Sequence, residues 1–320
     1  MNHLKEMLKS QYGIAADMVR EQKGGWSAAA YKISAGTRQC FLKVYDKKRA
    51  STPLLTAHID FYVPVTLRLI EYADLAGKLP VPVLTENKEY KWEDRESVYL
   101  LYEYIDGITI GDRGLTTGQA LQLADIVSRL HDPENVKYMN GIEADRFRED
   151  FSSLFLQKLK RWIITDRDIL ATDIKTLLSD HHDGLQQSML RLAELSEKLG
   201  GQRTEMVLCH TDIHNGNLME KDGELMLIDW EGLIAAPREA DLMFVRGKEY
   251  DPEFMKVYQE RYPDYQINRE ILEFYQLKRR LTDIREFIEQ LIFDVQSADE
   301  REETLLYLEA VLVSLISDES

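Results

Sequence analysis

Hydrophobic and polar residues alternate over several short segments in the first hundred positions, a pattern typical of half-buried strands. These segments are residues 28–33, 39–45, 81–84 and 97–102. The first two flank a turn at residues 34–37 and predict a hairpin. Two stretches have a helical period instead: an amphipathic start at residues 1–18, and residues 60–76 with Pro64 in the first turn, where a missing N–H costs little. The pattern predicts a β-rich region with one main helix.

The pattern becomes mostly helical after a break at Asp106-Gly107. Residues 117–131 begin with a threonine cap and carry apolar side chains along one broad side, which predicts a helix. Further helical periods cover residues 150–162, 168–180, 183–199, 268–293 and 300–317. One short β island interrupts these helices at residues 206–228, with a hairpin turn at residues 221–223.

This change of pattern predicts an α+β protein with two lobes. We expect a small, antiparallel β lobe with one main helix over residues 1–102 and a larger, mostly helical lobe over residues 108–320. Residues 103–107 would connect the two lobes. Ligands commonly bind at such junctions, so the expected site lies near this connector.

Composition and charge narrow the class of partner. The chain has 40 Lys and Arg against 56 Asp and Glu, a formal net charge of −16. This excess argues against binding to nucleic acid or to an anionic membrane surface and favours a small, cationic partner. No apolar stretch approaches the roughly 18 residues that span a bilayer. The two cysteines, Cys40 and Cys209, fit buried thiols in a reducing compartment, so we expect a cytoplasmic protein.

The densest polar cluster in an apolar setting runs over residues 208–217. A buried strand that leads into it places the carboxylate of Asp212 at the strand end, and the turn at residues 221–223 brings Asp229 back beside Asn217. Three oxygen-bearing side chains would then converge, which suits Mg²⁺ together with substrate phosphates. Phosphoryl transfer needs this arrangement: Asp212 orients the attacking hydroxyl, and Asn217 and Asp229 hold the metal.

A second interpretation is a metal-dependent hydrolase. His210, Asp212 and His214 would point the same way on an extended strand, a spacing that suits metal ligands. Asn215-Gly216 favours a turn directly afterwards, and no second cluster of His and Asp supplies further ligands. We expect His210 to orient the loop by hydrogen bonding to the backbone, while His214 receives no role.

A kinase requires further parts elsewhere in the chain. Glycines between two strand patterns let backbone N–H groups approach a phosphate, and Gly24, Gly25 and Ser27 are the candidates for this contact. Lys43 lies between hydrophobic residues on the following hairpin, where its amine could reach the α- and β-phosphates.

A nucleotide site also needs an acid that holds the lysine and a contact for the base. An acid should hold Lys43, and we favour Asp60 at the start of the main helix, with Glu71 as the second candidate. The connector would offer backbone groups of Glu103 and Ile105 to the edge of an adenine.

These segments together resemble the aminoglycoside phosphotransferase family, which has a protein-kinase-like fold, and within it the spectinomycin phosphotransferase branch. The residues that carry the resemblance are 207–217, 228–231 and 236–244. The resemblance implies ATP or GTP and Mg²⁺ as cofactors, and transfer of the γ-phosphate to a hydroxyl of an aminoglycoside or aminocyclitol such as spectinomycin. It implies Asp212 as the catalytic base, with Asp241 as an acid that braces the catalytic loop.

The sequence departs from the protein-kinase pattern at four points, and two of them, Thr211 and the short stretch before Asp241, favour a small-molecule acceptor. The glycine loop is not a full G-x-G-x-x-G, and Thr211 stands where protein kinases carry an arginine that reads a phosphorylated loop. The metal motif reads Asp229-Trp230-Glu231, and the stretch from there to Asp241 is too short for a peptide-docking segment. Two alternatives stay open: a kinase of another small metabolite of the choline, methylthioribose or homoserine type, and a non-catalytic binding protein.

Overall fold

A computed structural model describes residues 1–22, 28–49, 51–139, 144–148, 172–294 and 296–315. The chain divides into two compact units. The first unit consists of Met1–Ala144 and Glu205–Gln266, and the second of Asp145–Thr204 and Ile267–Ser320. An antiparallel sheet near the N-terminus precedes a mostly helical C-terminal part, which confirms the α+β class expected from the sequence. The lobe boundary at residues 103–107 stays a prediction.

Along the sequence, helices and strands alternate in a first part, up to residue 130, and helices dominate a second part, from residue 172. The first part contains α1 (Asn2–Tyr12), β1 (Met18–Gln22), β2 (Ala29–Ala35), β3 (Arg38–Asp46), α2 (Thr52–Thr56), α3 (Ile59–Tyr72), β4 (Trp92–Glu93), β5 (Ser97–Glu103), β6 (Ile108–Thr109) and α4 (Thr117–Leu130). The second contains α5 (Thr172–Asp180), α6 (His182–Leu199), β7 (Val207–Cys209), β8 (Leu218–Lys221), β9 (Glu224–Leu227), β10 (Ile234–Ala236), α7 (Glu239–Leu242), α8 (Asp251–Arg261), α9 (Arg269–Phe293) and α10 (Ala298–Ser314).

The N-terminal sheet has the strand order β1-β2-β3-β5-β4, and all its pairs are antiparallel. The predicted hairpin is confirmed as β2 and β3, with Lys43 paired to Ala30 on one side and to Leu100 of β5 on the other. The strand predicted at residues 81–84 was wrong, since this segment forms only a bridge from Pro82 to Tyr102, flanked by hydrogen bonds from the Val83 N–H to the Leu101 carbonyl and from the Glu103 N–H to the Val81 carbonyl, both at 2.8 Å.

Helix α3 packs its apolar stripe inward and leaves its acids outside. Its buried residues are Ile59, Tyr62, Val63, Val65, Thr66 and Leu69. Pro64 lies inside this helix rather than in its first turn as expected, because the helix begins at Ile59. The missing N–H at Pro64 removes one helical hydrogen bond. The helix also ends earlier than predicted, at Tyr72, and Asp74 follows in the left-handed region with φ 61°.

The β island divides into two separate sheets. Strand β7 pairs with β10, whereas the β8–β9 hairpin pairs with β6. The predicted turn between β8 and β9 is confirmed, with positive φ at Asp222 (53°) and Gly223 (82°) as a tight hairpin requires. The hairpin continues beyond its ladder, because the Ile228 N–H donates to the Asn217 carbonyl at 2.9 Å. This bond brings Asn217 next to Asp229, as the sequence predicted.

The regular elements that the structure describes in the second unit are all helices. Helix α9 packs against α10 and against α6. The helical period at residues 168–180 appears as α5 from Thr172, whereas the one at residues 150–162 lies outside the described residues. Among the helices that the structure describes, none is long and apolar enough to cross a membrane.

Candidate active site

The loop after β7 is held in a strained conformation by Asp241. Thr211 has φ 67°, in the left-handed region that a branched residue rarely adopts. Asp241 compensates by accepting the His210 N–H at 2.9 Å and the Thr211 N–H at 2.6 Å. The Thr211 hydroxyl donates to the Gly232 carbonyl at 2.9 Å and ties the loop to the next turn. Charge-assisted hydrogen bonds to the Asp241 carboxylate therefore fix the loop.

A wholly buried cluster supports Asp241 in turn. His131 Nε2 lies 3.0 Å from Asp241 Oδ2, and its Nδ1 lies 2.7 Å from the Tyr258 hydroxyl. Among the described residues, His131, Cys209 and Asp241 are also the only three His, Cys, Asp or Glu side chains close enough to share a metal ion. Their hydrogen bonds already satisfy one another, and burial raises the pKa of the Cys209 thiol, which keeps it protonated. We interpret this cluster as a structural brace.

Asp212 and Asn217 are joined within the loop. The Asn217 side-chain nitrogen donates to the Asp212 carbonyl at 2.9 Å and to its Oδ2 at 2.8 Å. Asn217 is buried, and these two bonds fix the orientation of its amide. With the nitrogen engaged, the amide presents its oxygen as the coordinating atom. The sequence prediction that these two side chains lie together is therefore correct in geometry.

Asp229 and Lys43, which the sequence assigned to one site, are in direct contact. Asp229 has φ 64°, so its backbone is strained in the manner found at functional sites. Lys43 Nζ donates to Asp229 Oδ1 at 2.6 Å and, at the same distance, to Glu231 Oε1. The Tyr45 hydroxyl donates to the same Glu231 oxygen at 2.6 Å. The amine thus lies between two carboxylates.

The electrostatics of this contact are dominated by the two acids. Burial lowers the pKa of Lys43, but the charges of Asp229 and Glu231 outweigh it and raise this pKa well above its ordinary value. Burial raises the pKa of Glu231, but Lys43 and the Tyr45 hydrogen bond outweigh it and leave this pKa below its ordinary value. Lys43 and Glu231 are therefore both charged at neutral pH.

The acid expected to hold Lys43 was assigned wrongly. Asp60 forms an ion pair with Lys91 at 2.9 Å, with 55% of its side chain exposed, and Glu71 is exposed beside Tyr72. Both acids lie on the outer side of α3, because the apolar stripe of the helix faces the protein. Sequence reasoning missed Glu231 as the partner. The sequence feature that could have identified this partner is the glutamate two residues after Asp229, at the position where protein kinases carry glycine.

The structure describes only some of the other residues predicted to bind the nucleotide. Gly24, Gly25 and Ser27 lie outside the described residues. The Glu103 N–H already donates to the Val81 carbonyl at 2.8 Å, so a contact with a base edge would use the Glu103 carbonyl. The Glu103 side chain pairs with Arg38 at 2.7 Å, and Ile105 is half-buried.

The geometry does not support the hydrolase interpretation. Strand β7 ends at Cys209, and the positive φ of Thr211 prevents the extended conformation that would align the two histidines with Asp212. His210 is buried and uses both ring nitrogens inside the loop, with Nε2 2.9 Å from the Ile228 carbonyl and Nδ1 3.2 Å from the Asp212 N–H. The expectation that His210 orients the loop through the backbone is confirmed.

The donor set at this site fits a magnesium ion. It consists of the amide oxygen of Asn217 and the carboxylate of Asp229, with Asp212 hydrogen-bonded to the same amide. Hard oxygen ligands of this kind suit Mg²⁺ and not the softer metals that prefer thiolate or imidazole. The Asp229 side chain is 35% exposed, so the carboxylate is open to an ion that carries its own water and phosphate ligands.

Comparisons with solved structures show a shared fold at low sequence identity. Spectinomycin phosphotransferase in complex with ADP and spectinomycin superposes with a TM-score of 0.75 at 20% identity, over 98% of both chains. Choline kinase from Streptococcus pneumoniae gives 0.63 at 16% identity, again over 98% of both chains. Amicoumacin kinase gives 0.61 at 14%, over 98% of this chain and 93% of its own. These likenesses confirm the expected protein-kinase-like α+β fold.

Sequence comparison adds the family. No curated protein sequence is significantly similar to this chain. The model of the phosphotransferase enzyme family (APH) matches residues 19–271, which is well over half of the chain. The protein therefore belongs to the APH phosphotransferase enzyme family.

Proposed function

We propose that this protein is a small-molecule kinase that transfers the γ-phosphate of ATP or GTP to a hydroxyl of an aminoglycoside or aminocyclitol such as spectinomycin. One observation carries the proposal: Lys43 of the N-terminal sheet contacts Asp229 at the end of the β8–β9 hairpin, next to the Asn217–Asp212 pair. Phosphoryl transfer requires an amine for the phosphates, oxygen ligands for a metal, and a base near the acceptor.

Each residue has a distinct task in the transfer. Lys43 binds the α- and β-phosphates, while Asn217 and Asp229 hold Mg²⁺, whose charge offsets that of the phosphates. Asp212 orients the acceptor hydroxyl and takes its proton. The acceptor oxygen forms a bond to the γ-phosphorus as the bond from phosphorus to the β-phosphate oxygen breaks, and the nucleoside diphosphate leaves. Most of the rate enhancement comes from positioning and electrostatics, since the transition state is loose.

Residues 1–102 would bind most of the nucleotide, with residues 103–107 as the hinge. The Glu103 carbonyl and the Ile105 backbone would meet the base edge, and the backbone near Gly24, Gly25 and Ser27 would meet the phosphates. Structures of similar fold were obtained with ADP and with AMP, which supports a nucleotide cofactor. ATP and GTP are held in the cytoplasm, and we place the activity there.

The acceptor is proposed to be small and cationic. Between Asp229 and Asp241 the chain forms only a turn at Trp230–Gly232, the short strand β10 and the start of α7, which leaves no segment for docking a peptide. The formal net charge of −16 favours a basic molecule over an acidic one. The structural likeness to spectinomycin phosphotransferase supports an aminocyclitol as the first substrate to test.

A phosphorylation screen with γ-labelled ATP and GTP tests this proposal. The acceptors are spectinomycin, several aminoglycosides, choline, methylthioribose and homoserine, with the Asp212→Asn variant as the control. We expect Mg²⁺-dependent label transfer to an aminocyclitol or aminoglycoside, and expression of the protein should then raise bacterial resistance to that compound. Transfer to choline or another metabolite instead would overturn the acceptor class. The absence of both transfer and nucleotide binding would favour a non-catalytic binding protein.

A further inference from the structure

The lysine of the candidate nucleotide site has no acidic partner on the helix that was expected to supply one. The acids of α3 are Asp60 and Glu71, and both lie on its exposed side. The buried side of α3 packs instead against the turn Trp230–Gly232. This turn carries Glu231, whose carboxylate reaches Lys43.

The turn that carries Glu231 is rigidly anchored. The Trp230 indole is buried, donates its Nε1–H to the Leu227 carbonyl at 2.9 Å, and packs edge-on against His210 with ring centroids 4.7 Å apart. A Cβ on Gly232 would lie 2.5 Å from the Thr211 hydroxyl oxygen, so only glycine allows this close approach. The position of Glu231 is therefore fixed to the catalytic loop by both of its neighbours.

A second contact, from Tyr45 on strand β3, also holds the Glu231 carboxylate. Tyr45 lies two residues after Lys43 on β3, and alternate residues of a strand face the same side. The buried Tyr45 hydroxyl donates to the same Oε1 that accepts from Lys43. The strand thus presents an amine and a hydroxyl to one carboxylate oxygen.

The two carboxylates at Lys43 differ in exposure. The Asp229 side chain is 35% exposed, whereas that of Glu231 is 11% exposed. A carboxylate that binds the metal ion must first give up its hydrogen bond with Lys43. The exposed Asp229 is placed to make this exchange. Glu231 has its oxygen held by Tyr45 and would keep its bond to Lys43 throughout.

We propose that Glu231, held by Tyr45, is the positioning residue that keeps Lys43 directed at the nucleotide phosphates, in place of an acid on α3. This inference rests on the proposed function, since it assigns Lys43 to the phosphates of a nucleotide. It follows that the placement of Lys43 does not depend on an ion pair to α3.

Binding of ADP in EDTA tests the inference, because the contact of Lys43 with phosphate requires no metal. Calorimetry compares wild type, Glu231→Gln, Lys43→Met and the double variant. We expect Glu231→Gln to weaken metal-free ADP binding by about tenfold, which corresponds to about 1.4 kcal/mol, and to add almost nothing in the Lys43→Met background. Tyr45→Phe should give a smaller loss in the same direction, and it replaces Glu231→Gln if that variant does not fold.

Several outcomes would overturn the inference. If Glu231→Gln kept its ADP affinity in EDTA and lost only the gain that Mg²⁺ brings, Glu231 would be a metal ligand. An additive effect in the Lys43→Met background would indicate a structural role, and an equal loss in Asp60→Asn would restore the helix as the source of the acid. A wild type that fails to bind ADP refutes the proposed function and this inference with it, whereas normal ADP binding by both wild type and Glu231→Gln refutes the inference alone.

Discussion

Asn217 donates its side-chain amide to both the carbonyl and the carboxylate of Asp212, at 2.9 and 2.8 Å. The pair joins the candidate base to a candidate metal ligand within one loop. A displacement of either side chain therefore moves the other, and the loop positions the acceptor hydroxyl and the metal relative to each other. Asp241 holds the start of the same loop through two backbone N–H groups.

Replacing Asp212 by asparagine should remove the base and preserve its shape. The variant keeps an oxygen that accepts from Asn217, so we expect the loop to stay in place. We expect kcat to fall by about 10²–10⁴-fold, the contribution typical of a positioned base. Steady-state kinetics with the acceptor found in the screen, together with calorimetric titration of ADP, measure the two effects. Unchanged turnover would remove Asp212 as the base.

Asp229→Ala tests the metal assignment. Loss of its carboxylate removes an oxygen ligand from the donor set, so we expect Mg²⁺ to stop strengthening nucleotide binding. Calorimetric titration of ATP with and without Mg²⁺ measures this difference. Glu224→Ala is the matched control, because Glu224 lies on the same β8–β9 hairpin and makes an exposed ion pair with Lys78. A preserved Mg²⁺ effect in Asp229→Ala would reject the assignment.

Gly216→Ala should disturb His214 specifically. A Cβ at residue 216 would lie 2.7 Å from Cε1 and 2.8 Å from Nδ1 of the His214 ring. This ring accepts the Gly216 N–H at 3.0 Å and places Nε2 3.5 Å from Asp212 Oδ2. We expect the extra methyl to displace this exposed ring and break its hydrogen bond, at a cost of about 0.5–1.5 kcal/mol.

The double variant His214→Ala, Gly216→Ala provides the control for that experiment. Without the imidazole the added methyl has space, so the stability cost of Gly216→Ala should disappear in this background. Chemical denaturation measures the free energy of unfolding of all four proteins. An equal cost in both backgrounds would mean that glycine is required at residue 216 for a reason other than the ring of His214.

The sequence predicted the parts of the site that local structure determines. The turn at Asp222-Gly223 has a strong hairpin signal, and pairing its two strands necessarily brings Asn217 and Asp229 together. Lys43 was predictable from its place on a strand of the β2–β3 hairpin. In each case a short-range pattern determined which residues become neighbours.

The partner of Lys43 was not predictable in this way. The contact between Lys43 and Glu231 joins residues that lie far apart in sequence, and no periodicity reports which acid a buried amine will meet. Asp60 was the wrong choice because the rotation of α3 about its axis is set by packing of its apolar stripe. The strand expected at residues 81–84 shrinks to a single bridge, because its pairing with β5 extends only from Val81 to Val83.

The pH dependence of stability should report the charge on Glu231. Its pKa is lowered from 4.5 in the folded protein, so its ion pair stabilises the fold fully above about pH 4.5 and loses this effect as the pH falls further. The pKa of Lys43 is raised above 10.5, so its contribution is full below about pH 10.5 and is lost as the pH rises through the folded value. Both contributions are present between about pH 5 and 10.

Glu231→Gln should therefore be destabilised in a pH-dependent manner. At pH 7 we expect a loss of about 1–3 kcal/mol, since a buried charged hydrogen bond is removed while Lys43 keeps Asp229. Below pH 4.5 the difference from wild type should shrink, because the protonated glutamate then resembles glutamine. Denaturant unfolding between pH 3 and 7 measures it, with Glu224→Gln as an exposed control that changes stability by no more than about 0.5 kcal/mol. A difference that stays constant down to pH 3 would show that Glu231 is not charged in the folded protein.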